Sequence, residues 1–229
     1  MCTDMPPSGC GHAEVRSARN MGAGYDLHMN GGPGTWASTT HAWVATVDHE
    51  HLRDVRDRAE ELTCGSMRHL ILEVLAYTAE EAEALGRRGL CTVTLHADGS
   101  VTVSDDGRGT ETRRDAEGNI VRKPIMATKD LRFFDADHGP LLADGRRRRG
   151  MSVVSALSRW LIHTNHRAGG AWTQRYEHGV PATDLEPIEA SGRTGTTVQF
   201  LPDATLIHDA MVALTDFSSL DWLDVTVAS

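Results

Sequence analysis

No apolar run in the 229 residues approaches the length needed to cross a bilayer. The N-terminus lacks the apolar core of a secretory signal. Cysteine is scarce, and the four present (Cys2, Cys10, Cys64 and Cys91) are not spaced like a disulfide framework. These absences set the expectation of a reduced, cytoplasmic protein with no membrane contact. Cys2, Cys10 and His12 match no zinc-ligand spacing. An excess of positive charge is also missing: 32 acidic residues face 23 basic ones, for a net charge of −9. That balance argues against DNA binding by the surface as a whole. Neither internal repeats nor heptads are found, so nothing points to a solenoid or coiled-coil scaffold.

Hydrophobic residues make up 40% of the chain, enough for a sizeable core. The length suits one ordinary domain plus a tail. Residues 1–47 are rich in Gly, Pro, Ser, Thr and His, as in Pro6-Pro7-Ser8-Gly9. This composition predicts a flexible tail, with at most one short strand at 42–47. The domain proper is expected over 48–229.

Within the domain, Leu52 and Val55 share one face of a short helix that starts near His51 and runs on towards Gly65. Ser66 is placed to cap a second helix reaching about Gly86. Leu70, Val74 and Tyr77 line one side of that helix, and Glu73 falls close to the same side. A carboxylate there needs a partner or a function, because burying it alone is costly. Arg68 and His69 are the neighbours that could satisfy it. Strands are expected over 90–97 and 101–104, joined by the turn Asp98-Gly99-Ser100. The second strand runs into Asp105-Asp106-Gly107-Arg108-Gly109. Two glycines around an arginine mark a backbone that turns sharply or approaches something closely. Residues 111–149 read as charged and irregular, ending in Asp144-Gly145-Arg146-Arg147-Arg148-Arg149-Gly150. A helix over 151–161, a hairpin over 161–177, a late strand near 196–200, a helix over 207–213 and a strand over 223–227 complete the pattern.

The order of these pieces resembles the GHKL (Bergerat-fold) ATPase domain. The motifs that carry the likeness are the helix with Glu73, the strand ending Asp105-Asp106-Gly107-Arg108-Gly109, and the later Thr194-Gly195-Thr196. Within that superfamily it looks most like the N-terminal domain of DNA gyrase B subunits. The resemblance, with gaps, runs from about His51 to the C-terminus. It implies an α/β two-layer sandwich, with a mixed, largely antiparallel sheet and helices on one face. It implies ATP or another adenine-type ligand, accepted by Asp105 and by Thr196, which in the family shares a water with the aspartate. Gly107 would let the chain pass close to the ring. Arg108 and Arg167 would line the pocket, and Gly150 would close the phosphate-binding run. Glu73 would be the general base.

Two positions depart from the family pattern. Tyr77 stands where the family places the Asn that helps hold Mg²⁺, and a phenol is a poor ligand for that ion. Arginines replace glycines in the run before Gly150. They read as a solvated basic loop, a substitute for the phosphate cradle or a nucleic-acid contact. Thr110-Glu111 replaces the usual Ile-Pro pair and makes the pocket floor more polar. The gyrase B transducer and cleavage domains have no counterpart in these residues, so DNA cleavage by this chain alone is not expected. Two functions remain open. One is a gyrase-B-like nucleotide-binding domain. The other is a catalytically dead relative that binds an adenine-like metabolite, a gyrase-directed inhibitor or a topoisomerase partner. A homodimer is compatible with either.

Overall fold

A computed structural model describes residues 47–134, 138–212, 217 and 220–228. The N-terminal tail and all but the last residue of the strand expected at 42–47 lie outside the described residues. The first helix, α1 (His49–Asp57), begins where the Asp48 carboxylate accepts the His51 N–H at 2.9 Å. It buries Leu52 and Val55. A break at Arg58 separates it from α2 (Ala59–Thr63), which ends with Cys64 in the left-handed conformation. The long helix α3 (Met67–Ala84) follows. Ser66 occupies its N-cap position, but the serine side chain makes no capping bond. The Asp209 carbonyl accepts the Met67 N–H instead, at 2.9 Å.

The main sheet has eight strands. They are β1 (Gly89–Leu95), β2 (Val101–Asp105), β5 (Ser158–Arg167), β6 (Gly170–Glu177), β7 (Val180–Pro181), β8 (Glu186–Ile188), β9 (Gly195–Pro202) and β10 (Leu223–Ala228). The path runs β10-β1-β2-β9-β5-β6-β7, with β8 alongside β6. Among the described strands of this sheet, only the β1–β10 pair is parallel. A separate hairpin, β3 (Thr112–Arg114) with β4 (Ile120–Arg122), and a short helix α4 (Leu131–Phe134) lie in the stretch expected to be irregular. Burial alternates along the strands, as their two-residue repeat requires. Cys91, Val93, Val101, Val103, Leu161, Val198 and Phe200 point into one core with the apolar faces of α1 and α3 and the buried residues of α5 (Met151–Ala156). The expected two-layer arrangement, with a mainly antiparallel sheet, is therefore present.

Two predicted helices differ. The one over 151–161 ends at Ala156, and the chain enters β5 at Ser158. Val154, Leu157 and Leu161 fit a helical repeat, but Leu161 and His163 equally fit strand alternation, and pairing to β9 decides it. Across the expected 207–213 helix, the described residues 207–212 are not helical. The N–H groups of His208 and Asp209 both donate to the Gly65 carbonyl, at 3.0 and 2.9 Å. Those long-range bonds replace the local ones a helix would make.

Phe200 is completely buried at the centre of the sheet, whereas Leu90 on β1 is 61% exposed. Phe200→Ala should therefore lower the unfolding free energy by about 3–5 kcal/mol. Leu90→Ala should stay within about 0.5 kcal/mol of the parent. Urea titration of both variants measures the contrast, and equal effects would mean that the sheet faces are misassigned.

Candidate functional site

The central strands β2, β9 and β5 bring their ends together. Ser104 pairs with Thr197 and Asn165 with Thr196, so Asp105, Thr196 and Asn165 are neighbours across three strands. The Asp105 Oδ1 accepts the N–H of Gly107 at 2.8 Å and that of Thr196 at 3.2 Å. Burial pushes the Asp105 carboxyl up to about 6, against the opposing pull of those two amides. Gly195 is required here. At φ 139° it passes so close to β2 that a Cβ would sit 2.1 Å from the Asp105 carbonyl oxygen.

The turn after β2 is anchored from both sides. Arg108 grips Glu81 on α3 through Nε at 2.6 Å and Nη2 at 3.0 Å. Arg167, at the end of β5, donates to the Gly109 carbonyl at 2.8 Å. Gly109 itself has φ 81°, and a Cβ there would meet Asn165 Oδ1 at 2.4 Å. Sequence alone places Arg108 and Arg167 at a pocket rim. The structure brings both to this turn and gives each a protein partner.

Glu73 is fully buried in α3. Its Oε1 accepts the Arg149 N–H at 2.6 Å and its Oε2 accepts the Gly150 N–H at 2.8 Å. His69 Nε2 lies 3.6 Å from Oε1, and His69 Nδ1 is 2.7 Å from Asp144 Oδ2. His69 is thus the neighbour that reaches Glu73. Burial alone would depress its imidazolium, but the hydrogen bond to Asp144 and the carboxylate charge of Glu73 3.6 Å away outweigh it and hold the pKa up to about 9.

The arginine run is only partly solvated: Arg147 is exposed, Arg146 and Arg149 are half-buried, and Arg148 is buried. Arg148 is 4% exposed and pairs with Glu80 through Nη1 at 2.7 Å and Nη2 at 2.9 Å. Its guanidinium also lies 4.5 Å from the centre of the Phe133 ring. Arg149 donates to the Phe133 carbonyl at 2.6 Å, and Arg147 to that of Gly139 at 2.9 Å. Arg146 contacts the Glu61 carbonyl and the Cys64 sulfur. Sequence alone pointed to water because charge runs usually stay solvated. For Arg148, the half-buried Glu80 and the buried Phe133 supply partners that override that tendency.

Tyr77 lies one turn beyond Glu73, and its hydroxyl donates to Thr110 Oγ1 at 3.2 Å. Burial pushes the phenol up to about 12. Thr110 Oγ1 is 3.3 Å from His163 Nε2, and Arg122 donates to His163 Nδ1 at 3.0 Å. Burial, with Arg122 beside it, holds His163 well below its ordinary value, so the ring is neutral. Asn165 Nδ2 donates to the Thr110 carbonyl at 3.0 Å, while its Oδ1 has no hydrogen-bond partner among the described residues. The more polar floor at Thr110 is legible in the sequence. His163, Asn165 and Arg122 are not, because they carry no local motif and meet Thr110 only through the strand pairing.

Fold and sequence together now define the class, a GHKL-type domain. Its relatives are more particular, being the B subunits of DNA gyrase and topoisomerase IV, to which some three fifths of the chain is homologous. The DNA gyrase B subunit of Thermotoga maritima is 35% identical over 147 residues, covering 62% of this chain and 22% of that protein. The DNA topoisomerase 4 B subunit of Staphylococcus epidermidis is 34% identical over 141 residues, covering 61% and 21%. The chain thus matches only about a fifth of the length of these curated relatives. Among solved structures, the topoisomerase IV ATP-binding domain of Francisella tularensis, in complex with a small-molecule inhibitor, superposes with a TM-score of 0.60. That match has 26% identity and covers 77% of this chain and 50% of that one. No family model matches.

His69 makes the stability of this site pH-dependent. Its folded-state pKa of about 9 exceeds the ordinary 6.5. The stabilisation is therefore complete below pH 6.5 and is lost as pH rises through 9. Unfolding free energy measured by urea titration should fall across that window, and His69→Gln should flatten the fall. A slope that survives the substitution would place its origin elsewhere.

Proposed function

We propose that the domain recognises the adenine ring of ATP or of another adenine-type ligand through Asp105 and Thr196, with hydrolysis weak or absent. The observation that carries this reading is the Asp105 carboxylate. It is buried at the junction of β2 and β9 and oriented by the Gly107 and Thr196 amides at 2.8 and 3.2 Å. A fixed carboxylate in an apolar setting is a strong acceptor for an exocyclic amino group. Val103 and Val198, both buried on the neighbouring strands, supply apolar surroundings for a flat ring. The homologous domain of F. tularensis topoisomerase IV is described as ATP-binding, which supports the same ligand class here.

The chemistry beyond recognition is less well provided for. Glu73 is the candidate base, yet both of its oxygens accept backbone amides. A Mg²⁺ ion of the kind the family implies does not fit the residues present. Tyr77 offers a neutral phenol whose proton is given to Thr110, and no side-chain amide oxygen. We therefore read the site as a binding site first. A second reading, a decoy or pseudo-ATPase whose ligand is a gyrase-directed inhibitor, gains support from the inhibitor held by the F. tularensis domain. A topoisomerase partner would be consistent with the homology to gyrase B subunits.

Calorimetric titration separates these points. Asp105→Ala should weaken any adenine ligand by about 1–3 kcal/mol, because it removes a charge-assisted acceptor. Unchanged affinity would sink the pocket assignment. Replacing Mg²⁺ with a chelator should change binding by less than about threefold, or under about 0.7 kcal/mol. Tyr77→Asn alone should not yield turnover, since the Arg149 and Gly150 amides stay engaged by Glu73. Brisk single-turnover hydrolysis by either protein would show instead that the phosphate half is functional.

A further inference from the structure

Several of the charges around this site are already paired with one another. Arg108 is held by Glu81 at 2.6 Å and Arg148 by Glu80 at 2.7 Å. Arg132 bridges Asp130 at 2.8 Å and Glu80 at 3.1 Å. The guanidinium of Arg149 is turned away to the Phe133 carbonyl. Its backbone N–H, and that of Gly150, point at the buried Glu73 carboxylate at 2.6 and 2.8 Å. His69, the other cation beside Glu73, is held by Asp144 at 2.7 Å.

An incoming polyphosphate would have to displace Glu73 to reach the Arg149 and Gly150 amides, or draw Arg108, Arg132 or Arg148 from a carboxylate; the guanidiniums of Arg149 and Arg167 serve only carbonyls and would have to meet its charge without those amides. Either exchange strands a carboxylate in a poorly solvated place, which is why breaking such pairs is unfavourable. An uncharged ligand meets no such conflict. It can use Asp105 as acceptor and leave every pair intact.

We propose that this site selects an uncharged adenine-type ligand, of the nucleoside class, over nucleotides. Glu73 is the specificity-determining residue, because its carboxylate occupies the Arg149 and Gly150 amides in place of a phosphate. The inference rests on the adenine reading above and narrows it. In that reading Glu73 is a candidate base. Here it acts as a resident anion that a second anion must evict.

The test compares adenosine, ADP and ATP by calorimetry on the full chain, with and without Mg²⁺. Adenosine should bind the parent protein at least about tenfold more tightly than ATP. In Glu73→Ala the two amides are released, and that ratio should fall by about tenfold or more. Glu73→Gln keeps the side-chain volume and one acceptor oxygen while removing the charge, so its ratio should lie between the two. The parent comparison alone decides the matter if the alanine variant does not fold. ATP binding as tightly as adenosine to the parent would overturn this inference and leave the adenine reading standing. A ratio unchanged in both variants would remove Glu73 from the role. Failure of all three ligands to bind the parent would overturn both the inference and the adenine reading beneath it.

Discussion

A carboxylate with no solvent access must be satisfied within the protein, and Glu73 is the point on which this site turns. Two backbone amides and a nearby imidazolium surround it. Leaving a buried charge unpaired costs about 3–5 kcal/mol. The contact therefore fixes more than one side chain. It ties the middle of α3 to the residues that lead into α5, and so sets the height of the 138–150 segment above the sheet. Arg148 adds a second tie to α3 through Glu80, further along the helix. His69 and Asp144 add a third at the other end. Three contacts spread along one helix, one to backbone amides and two between acid and base, hold a segment that has little apolar surface of its own.

The floor of the site follows from a related problem, neutral polar groups and one cation among apolar ones. Tyr77, Thr110, His163 and Arg122 form a connected row, each within 3.3 Å of the next. In a low-dielectric interior such a row is stable only if its members satisfy one another. His163 can accept from Arg122 because burial keeps its ring neutral. The Tyr77 ring then has one place for its hydroxyl, on Thr110, and the phenol stays protonated across the ordinary pH range. Tyr77 and Thr110, far apart along the chain, are thus one hydrogen-bonded pair in space. A tyrosine at 77 needs a hydroxyl acceptor at 110, and an isoleucine there would leave it buried without one.

Much of the fold could be read from the sequence because its signals were local. The Asp98-Gly99-Ser100 turn, the alternation of Val101 and Val103, and the apolar face of α3 each lie within one element. So does the motif from Asp105 to Gly109, whose glycine at 109 is demanded by contacts with Asn165 and His166. The expectations that failed were those decided by distant partners. Leu161 fits helix and strand periodicity equally, and only β9 settles it. Residues 207–212 lose their expected helix to a carbonyl at Gly65. The arginine run looked solvated because nothing nearby in sequence showed that Glu80 and Phe133 would enclose Arg148. His163 and Asn165 belong to the site through strand register alone, which no single segment encodes.

The two halves of the site are held by physically separable means. The half around Asp105 is built by strand pairing. Asp105 is placed by β2, and Thr196 and Gly195 by β9, and backbone register changes little when surface side chains do. The half around Glu73 depends on what the 144–150 segment presents to α3. Arginine side chains there need acceptors, and they find them in Glu80 and in the carbonyls of Glu61, Phe133 and Gly139. Once Arg148 is drawn under Glu80, the chain that follows brings its amides down onto Glu73. A glycine-rich segment makes no such demand and leaves its amides available. Arginines in this run thus do more than change the charge of a loop. They supply pairings that hold it against α3.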